Sequence, residues 1–194
     1  MRKRMVFLLS AALLIFSASS VFAEGAAVIA DFNSGEAVSN LGQGFEVWLK
    51  GDGSDTTQRC EISFADGDAM GGDSGKVLRV DYDVDSENPA YNGMRFNFEG
   101  YDASAFTALS FYVKGDAEKG FSPKFKMEMI GANKRPSPAM VLDITPEWQK
   151  ITIPFSEFFG IRDWTALHQL VIVFADIVNN PKTGTYYFDN FSFE

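Results

Sequence analysis

The chain has 194 residues, 26 acidic against 17 basic, and a formal net charge of −9. That charge opposes phosphate backbones and anionic lipid surfaces, which argues against nucleic acid as a partner. The single cysteine, Cys60, leaves no intrachain disulfide, so a hydrophobic core, with or without a metal, must hold the fold.

The N-terminal segment is read first. Arg2, Lys3 and Arg4 precede an apolar run from Val6 to Phe16, too short to span a bilayer comfortably. Val21-Phe22-Ala23 then supplies a peptidase-type site. Residues 1–23 therefore read as a secretory signal peptide cleaved after Ala23, and predict a secreted or periplasmic protein with no stable membrane insertion afterwards. No cysteine follows the apolar run, so a lipoprotein anchor is not expected. Cleavage removes three basic residues and no acidic one, taking the formal charge from −9 to −12. The remaining stretch, 24–194, is long enough for one domain with a proper core.

Along that stretch, short apolar or alternating runs recur between Gly, Asp, Asn and Pro, with no internal repeat. The spacing predicts strands at Val28–Phe32, Phe45–Leu49, Glu61–Ala65, Lys76–Val84, Tyr91–Glu99 and Ala108–Lys114. It continues with Pro123–Ile130, Ala139–Ile144, Gln149–Pro154, Gln169–Ala175 and Thr185–Phe193. Helical turns are expected only at Phe155–Gly160 and near Trp164–Leu167. Leu78, Val80, Tyr82 and Val84 share one face of their strand, as do Met94, Phe96 and Phe98 of the next. Leu170–Phe174 is apolar throughout, as for a strand covered on both sides. About ten strands with many phenylalanines fit an all-β jelly roll, a β-sandwich of two antiparallel sheets.

The second half carries a recognisable order. Asp102-Ala103-Ser104-Ala105-Phe106 leads into Leu109–Asp116; Trp148-Gln149-Lys150-Ile151-Thr152-Ile153-Pro154-Phe155-Ser156-Glu157-Phe158 follows; Gly184–Phe191 closes the chain, with Asp31-Phe32 near the start. This order resembles the secreted jelly-roll modules that bind carbohydrate, and among them the family eleven carbohydrate-binding modules of the galactose-binding-like superfamily. The resemblance implies a non-catalytic protein that recognises a glucan-like polysaccharide by aromatic stacking and polar rim contacts. In those modules the loop after the Ile-Pro-Phe motif carries an Asp and an aromatic that contact the glucan, which points to Asp163 and Trp164, with Arg162 as a neighbouring donor. A tyrosine at a loop-to-strand junction lines their cleft, which points to Tyr91; strand parity puts Arg95 and Asn97 on the same outward side. His168 stands where the similar modules have a ligand-contacting acid, and Phe174 where they have a tyrosine. The chemistry is general: sugar C–H faces stack on rings, and hydroxyls need carboxylates, amides or guanidinium groups beside them. Trp48 is either another stacking platform or an edge-strand aromatic, and Trp148 reads as packing.

Related jelly rolls hold a structural calcium between their first and last strands. By that resemblance Asp31 and Asp189, with Glu36 and carbonyls of the Asp73–Lys76 loop, would bind Ca²⁺ through hard oxygen ligands. The glycine-rich run Asp66–Asp73 lacks EF-hand spacing and reads as a long turn.

Two other readings compete. The Asp-Xaa-Ser and Trp-Gln-Lys-Ile-Thr-Ile-Pro-Phe segments also look like those of complex I intermediate-associated proteins, which would make the chain an extracytoplasmic assembly or scaffold protein with a protein partner. A small glycoside hydrolase would need a carboxylate pair across a groove, for which Glu99 and Glu128 are the conceivable residues.

Overall fold

The computed structural model describes residues 25–50, 55–70 and 75–194. The expected signal peptide, most of the acidic loop 51–55 and part of the glycine-rich turn lie outside the described residues. Within them the chain forms eleven strands in two antiparallel sheets: β1 (Ala27–Ala30), β2 (Phe45–Leu49), β3 (Arg59–Asp66), β4 (Lys76–Asp83), β5 (Tyr91–Tyr101), β6 (Ala108–Gly115), β7 (Phe125–Ile130), β8 (Pro136–Val141), β9 (Gln149–Pro154), β10 (Leu167–Ala175) and β11 (Thr183–Phe193). One sheet runs β3-β4-β11-β6-β9, with β1 also pairing β11; the other runs β2-β5-β10-β7-β8. The jelly-roll expectation is met, and the first and last strands are neighbours. The only helical element described is a 3₁₀ turn at Phe155–Glu157; no described helix is long and apolar enough to cross a membrane.

Period-two alternation assigns the faces. Met94, Phe96 and Phe98 of β5, and Leu170, Ile172 and Phe174 of β10, are buried between the sheets. Ring meets ring through this layer: Phe45–Phe96 at 5.1 Å, Phe96–Phe191 at 5.1 Å and Phe111–Phe191 at 4.9 Å between centroids. The buried tyrosines keep their hydroxyls satisfied, as buried polar tips must be. Tyr82 donates to the Pro181 carbonyl at 3.0 Å and accepts the Ser122 N–H at 3.0 Å, and Tyr186 donates to the Ser122 carbonyl. Phe174 belongs to this cluster, stacked on Tyr82 at 4.4 Å and fully buried. The position where the similar modules have a tyrosine is thus a core position here, because its parity points inward.

Two elements depart from expectation. β8 begins at Pro136, three residues early, and ends at Val141. Pro136 and Pro138 fit there because β8 is an edge strand and pairs only with β7. β10 begins at Leu167, with a register shift between Leu167 and Gln169. The outer-face residues Val171 and Val173 of β10 are 6% and 3% exposed. The register flanks Val171 with Arg95 and Glu128, and Val173 with Gly93 and Lys126. The continuous apolar run therefore reflects cover by long neighbouring side chains, not by a second backbone layer.

Cys60 is buried in β3, and burial pushes its thiol up to about 12, with Asp81 and Glu61 adding like charge. Thiolate is the reactive form. The folded protein is therefore expected to resist a thiol-reactive dye and to label only as it unfolds. Stoichiometric labelling in native buffer within minutes would contradict this placement.

Candidate functional site

The outer surface of the five-stranded sheet carries an open concavity. A cleft of 480 Å³ crosses the strands at one end of that sheet. The register places Asn97 of β5, Gln169 of β10 and Ile130 of β7 side by side, and Gln43 and Gly44 close the near end. Gln169 Nε2 donates to Asn97 Oδ1 at 2.9 Å. Asn97 Nδ2 also donates to the Gly44 carbonyl at 3.4 Å, so both amides are oriented and one N–H on each, with the Gln169 carbonyl, is left for a ligand. Lys134, from the β7–β8 turn, and Glu99 and His168, at the strand ends, bring opposite charges to the rim. Glu99 and Lys134 both hold left-handed backbone conformations, at φ 49° and 54°. Non-glycine residues at such angles are uncommon and cluster at functional sites.

The rest of this face is self-paired. Arg95 Nε and Nη2 both donate to Glu46 Oε1, at 2.9 and 2.7 Å. Arg95 thus stands on the expected face but spends two of its donors across the sheet. Lys126 and Glu128 pair at 2.8 Å. At the far end Tyr91 is 44% exposed, 5.9 Å from the Trp48 ring and with Lys50 Nζ 5.5 Å from its own ring centroid.

Tyr91 and Trp164 do not share a groove, which corrects one expectation. Tyr91 pairs with Ala175 at one end of the β5–β10 ladder, and Tyr101 pairs with Leu167 at the other. Trp164 lies three residues before Leu167, so the two rings stand at opposite ends, about 30 Å apart along the strand. Parity gave the face of Tyr91; the length of β5 decided which end it occupies. Trp164 is half-buried, its ring flat on Phe155 at 3.6 Å and 3°. One of its faces is therefore already covered. Asp163 Oδ1 accepts the Thr165 N–H at 2.9 Å and the Thr165 hydroxyl at 2.6 Å, which hold the carboxyl below its ordinary value. Arg162 and Asp163 are exposed and line a smaller depression of 130 Å³ with residues 131–133 of the β7–β8 turn. The structure brings His168, Arg95 and Tyr91 onto one sheet face and puts Trp164, Asp163 and Arg162 on the loop at its end. Gln43, Gln169 and Lys134 escaped the sequence reading. Gln169 could have been found as the amide that interrupts an otherwise apolar β10 face.

A separate acidic site sits at the β11 bulge. Asp189 is 3% exposed; its Oδ2 accepts the Ala69 N–H at 2.9 Å and its Oδ1 the Asn190 N–H at 2.8 Å. Burial nevertheless pushes its carboxyl up to about 6, with Asp68 and Asp31 adding like charge. Asp31 is held by Asn40, whose Nδ2 donates to Asp31 Oδ2 at 3.0 Å. Glu36 is exposed in the β1–β2 connection. Among the described residues no three acidic, histidine or cysteine side chains close round one point, and residues 71–74 of the neighbouring turn lie outside them.

Comparison with known proteins agrees with this architecture. The family described as carbohydrate binding domain 30 matches residues 40–194. No curated protein sequence matches at a significant level. Among solved structures, a family 11 carbohydrate-binding module from Clostridium thermocellum, in complex with a β-1,3-1,4-mixed-linked tetrasaccharide, superposes with a TM-score of 0.63 at 17% identity, covering 89% of this chain and 96% of that one. A CBM22-1 xylan-binding domain from Paenibacillus barcinonensis gives 0.50 at 14% identity, covering 89% and 97%. An exo-β-agarase gives 0.58 at 15%, covering 86% of this chain but 24% of the enzyme.

Proposed function

Because the chain belongs to the carbohydrate binding domain 30 family, we propose that the cleft on its five-stranded sheet is the sugar site and takes a glucan-like polysaccharide without cleaving it. The observation that carries this reading is the oriented Asn97–Gln169 amide pair on the floor of the 480 Å³ cleft. Free amide donors and acceptors beside the Lys134 and Glu99 rim match vicinal hydroxyls, and the exposed Tyr91 ring offers a stacking platform further along the face. The mixed-linked tetrasaccharide held by the family 11 neighbour makes a β-glucan the first ligand to try.

The sheet geometry argues against a glycosidase built on Glu99 and Glu128. Glu128 lies two strands from Arg95, and Glu99 is four residues further along β5. Their backbones are therefore about 16 Å apart, and the Lys126 pairing draws the Glu128 carboxylate away from Glu99. Hydrolytic pairs need about 5–9.5 Å. The family match likewise favours carbohydrate binding over the scaffold reading.

Calcium at the Asp189 bulge belongs to the same proposal, with Asp31 and Asp68 as the neighbouring carboxylates. A divalent cation would neutralise charge that burial otherwise disfavours and would tie β11 to the loop after β1. Secretion, by the sequence of residues 1–23, completes the proposal.

Calorimetric titration with mixed-linkage β-glucan oligosaccharides tests the site. Asn97→Ala and Gln169→Ala are each expected to weaken binding about tenfold, the scale of one hydrogen-bonding group removed from a binding centre. Their thermal midpoints should stay close to that of the parent, because both amides sit on the outer face. Binding that is undiminished in both variants would move the site elsewhere; no binding of any oligosaccharide by the parent would remove the glucan assignment.

A further inference from the structure

Phe159 is 80% exposed, yet its backbone is held in place. The Gly160 N–H donates to Ser137 Oγ at 2.7 Å, the Phe158 N–H to the Phe155 carbonyl at 3.1 Å, and the Ile161 N–H to the Phe158 carbonyl at 3.0 Å. A singly exposed apolar side chain is ordinary on a protein surface; what marks this one is its place beside a depression. Phe159 borders a depression of 380 Å³ together with Trp164 and Arg162. Arg162 also borders the 130 Å³ depression beside the β7–β8 turn. Ile130, the last residue of β7, and Lys134, of that same turn, line the cleft. Ile161 and Arg162 thus join the two loop depressions, and the turn at 131–134 lies between them and the cleft.

We infer that this series is one glycan track, and that Phe159 is a stacking platform, with Arg162 as donor, for sugar units that extend past the cleft. The inference rests on the cleft being the sugar site. The occupant is a further stretch of the same polysaccharide, because the shelf lies one turn from the cleft and pairs an open aromatic face with a guanidinium, the two groups that sugar C–H faces and hydroxyls require. Trp164 borders the same depression, with Phe155 covering one side of its ring. Because the loop is already ordered, little conformational freedom is lost when a ligand lands on it.

The consequence is a dependence on chain length. Mixed-linkage gluco-oligosaccharides from a trisaccharide to a decasaccharide would be titrated into the parent, Phe159→Ala, Arg162→Ala and Gln169→Ala. The parent should gain affinity again beyond the length that fills the cleft. Phe159→Ala and Arg162→Ala should lose about tenfold on the long members and nothing on the short ones, with the Phe159→Ala midpoint unchanged because that ring is exposed. Gln169→Ala should weaken every length. If Phe159→Ala follows the parent at every length, or weakens all lengths equally, the track is overturned while the cleft stands. If Gln169→Ala weakens none, or no length binds, the cleft reading fails and the track with it.

Discussion

Gly93→Ala is expected to be the most damaging single methyl that can be added to the sheet that carries the cleft. A Cβ built at Gly93 lies 1.9 Å from the Ile172 carbonyl oxygen, 2.9 Å from its carbon and 3.3 Å from the Val173 Cα. All three are backbone atoms of the neighbouring central strand, so no side-chain rotation can relieve the clash. The β5–β10 ladder must part where Gly93 pairs with Val173 on one side and Trp48 on the other. Overpacking of this kind costs about 3 kcal/mol or more when the obstacle is rigid, which for a domain of this size lowers the melting midpoint by about 6–12 °C. Gly44→Ala is the control. Its Cβ would meet only the Ala37 carbonyl, at an ordinary 3.7 Å, and the midpoint should move little. A Gly93→Ala protein that melts with the parent would show that β5 and β10 are not in this close register.

The opposing halves of that comparison also mark what the sequence could and could not reveal. Alternation in Lys76–Val84 and Tyr91–Glu99 exposes strand faces directly, because side-chain parity is a local property. It assigned Tyr91 and Arg95 to the correct side of the sheet, and the Phe-rich strands to a sandwich core. Local pattern carries no information about which end of a long strand meets which loop. Tyr91 and Trp164 were therefore expected together and stand at opposite ends of β5. Nor does it show register. The Asn97–Gln169 contact joins residues 72 apart in the chain and becomes visible only once β5 and β10 are aligned. Edge position decided β8 in the same way: its two prolines read as strand breakers in sequence, but an edge strand has one side that needs no donors.

Asp189→Asn is expected to reverse its effect on stability with calcium. In the parent the buried carboxyl has its pKa raised to about 6 from an ordinary 3.8. The folded state therefore binds more protons than the unfolded chain between about pH 4 and 6. This group's contribution is most favourable below pH 4, declines as pH rises through that window, and above about pH 6 amounts to a penalty of up to about 3 kcal/mol. In chelator at neutral pH, Asn removes the buried charge. It keeps one acceptor for the Ala69 and Asn190 N–H groups but loses the other, which returns about 1 kcal/mol of the gain. The variant should therefore melt a few degrees above the parent and lose the parent's decline between pH 4 and 6. With calcium in large excess the order should invert, because a cation that binds only the folded state stabilises the parent by about 2.7 kcal/mol at a hundredfold excess over its dissociation constant, and the amide contributes no charge to hold it. A parent midpoint that ignores calcium would eliminate the cation site. A variant less stable than the parent in chelator at pH 7 would show instead that the two N–H bonds to Asp189 outweigh the cost of burying its charge.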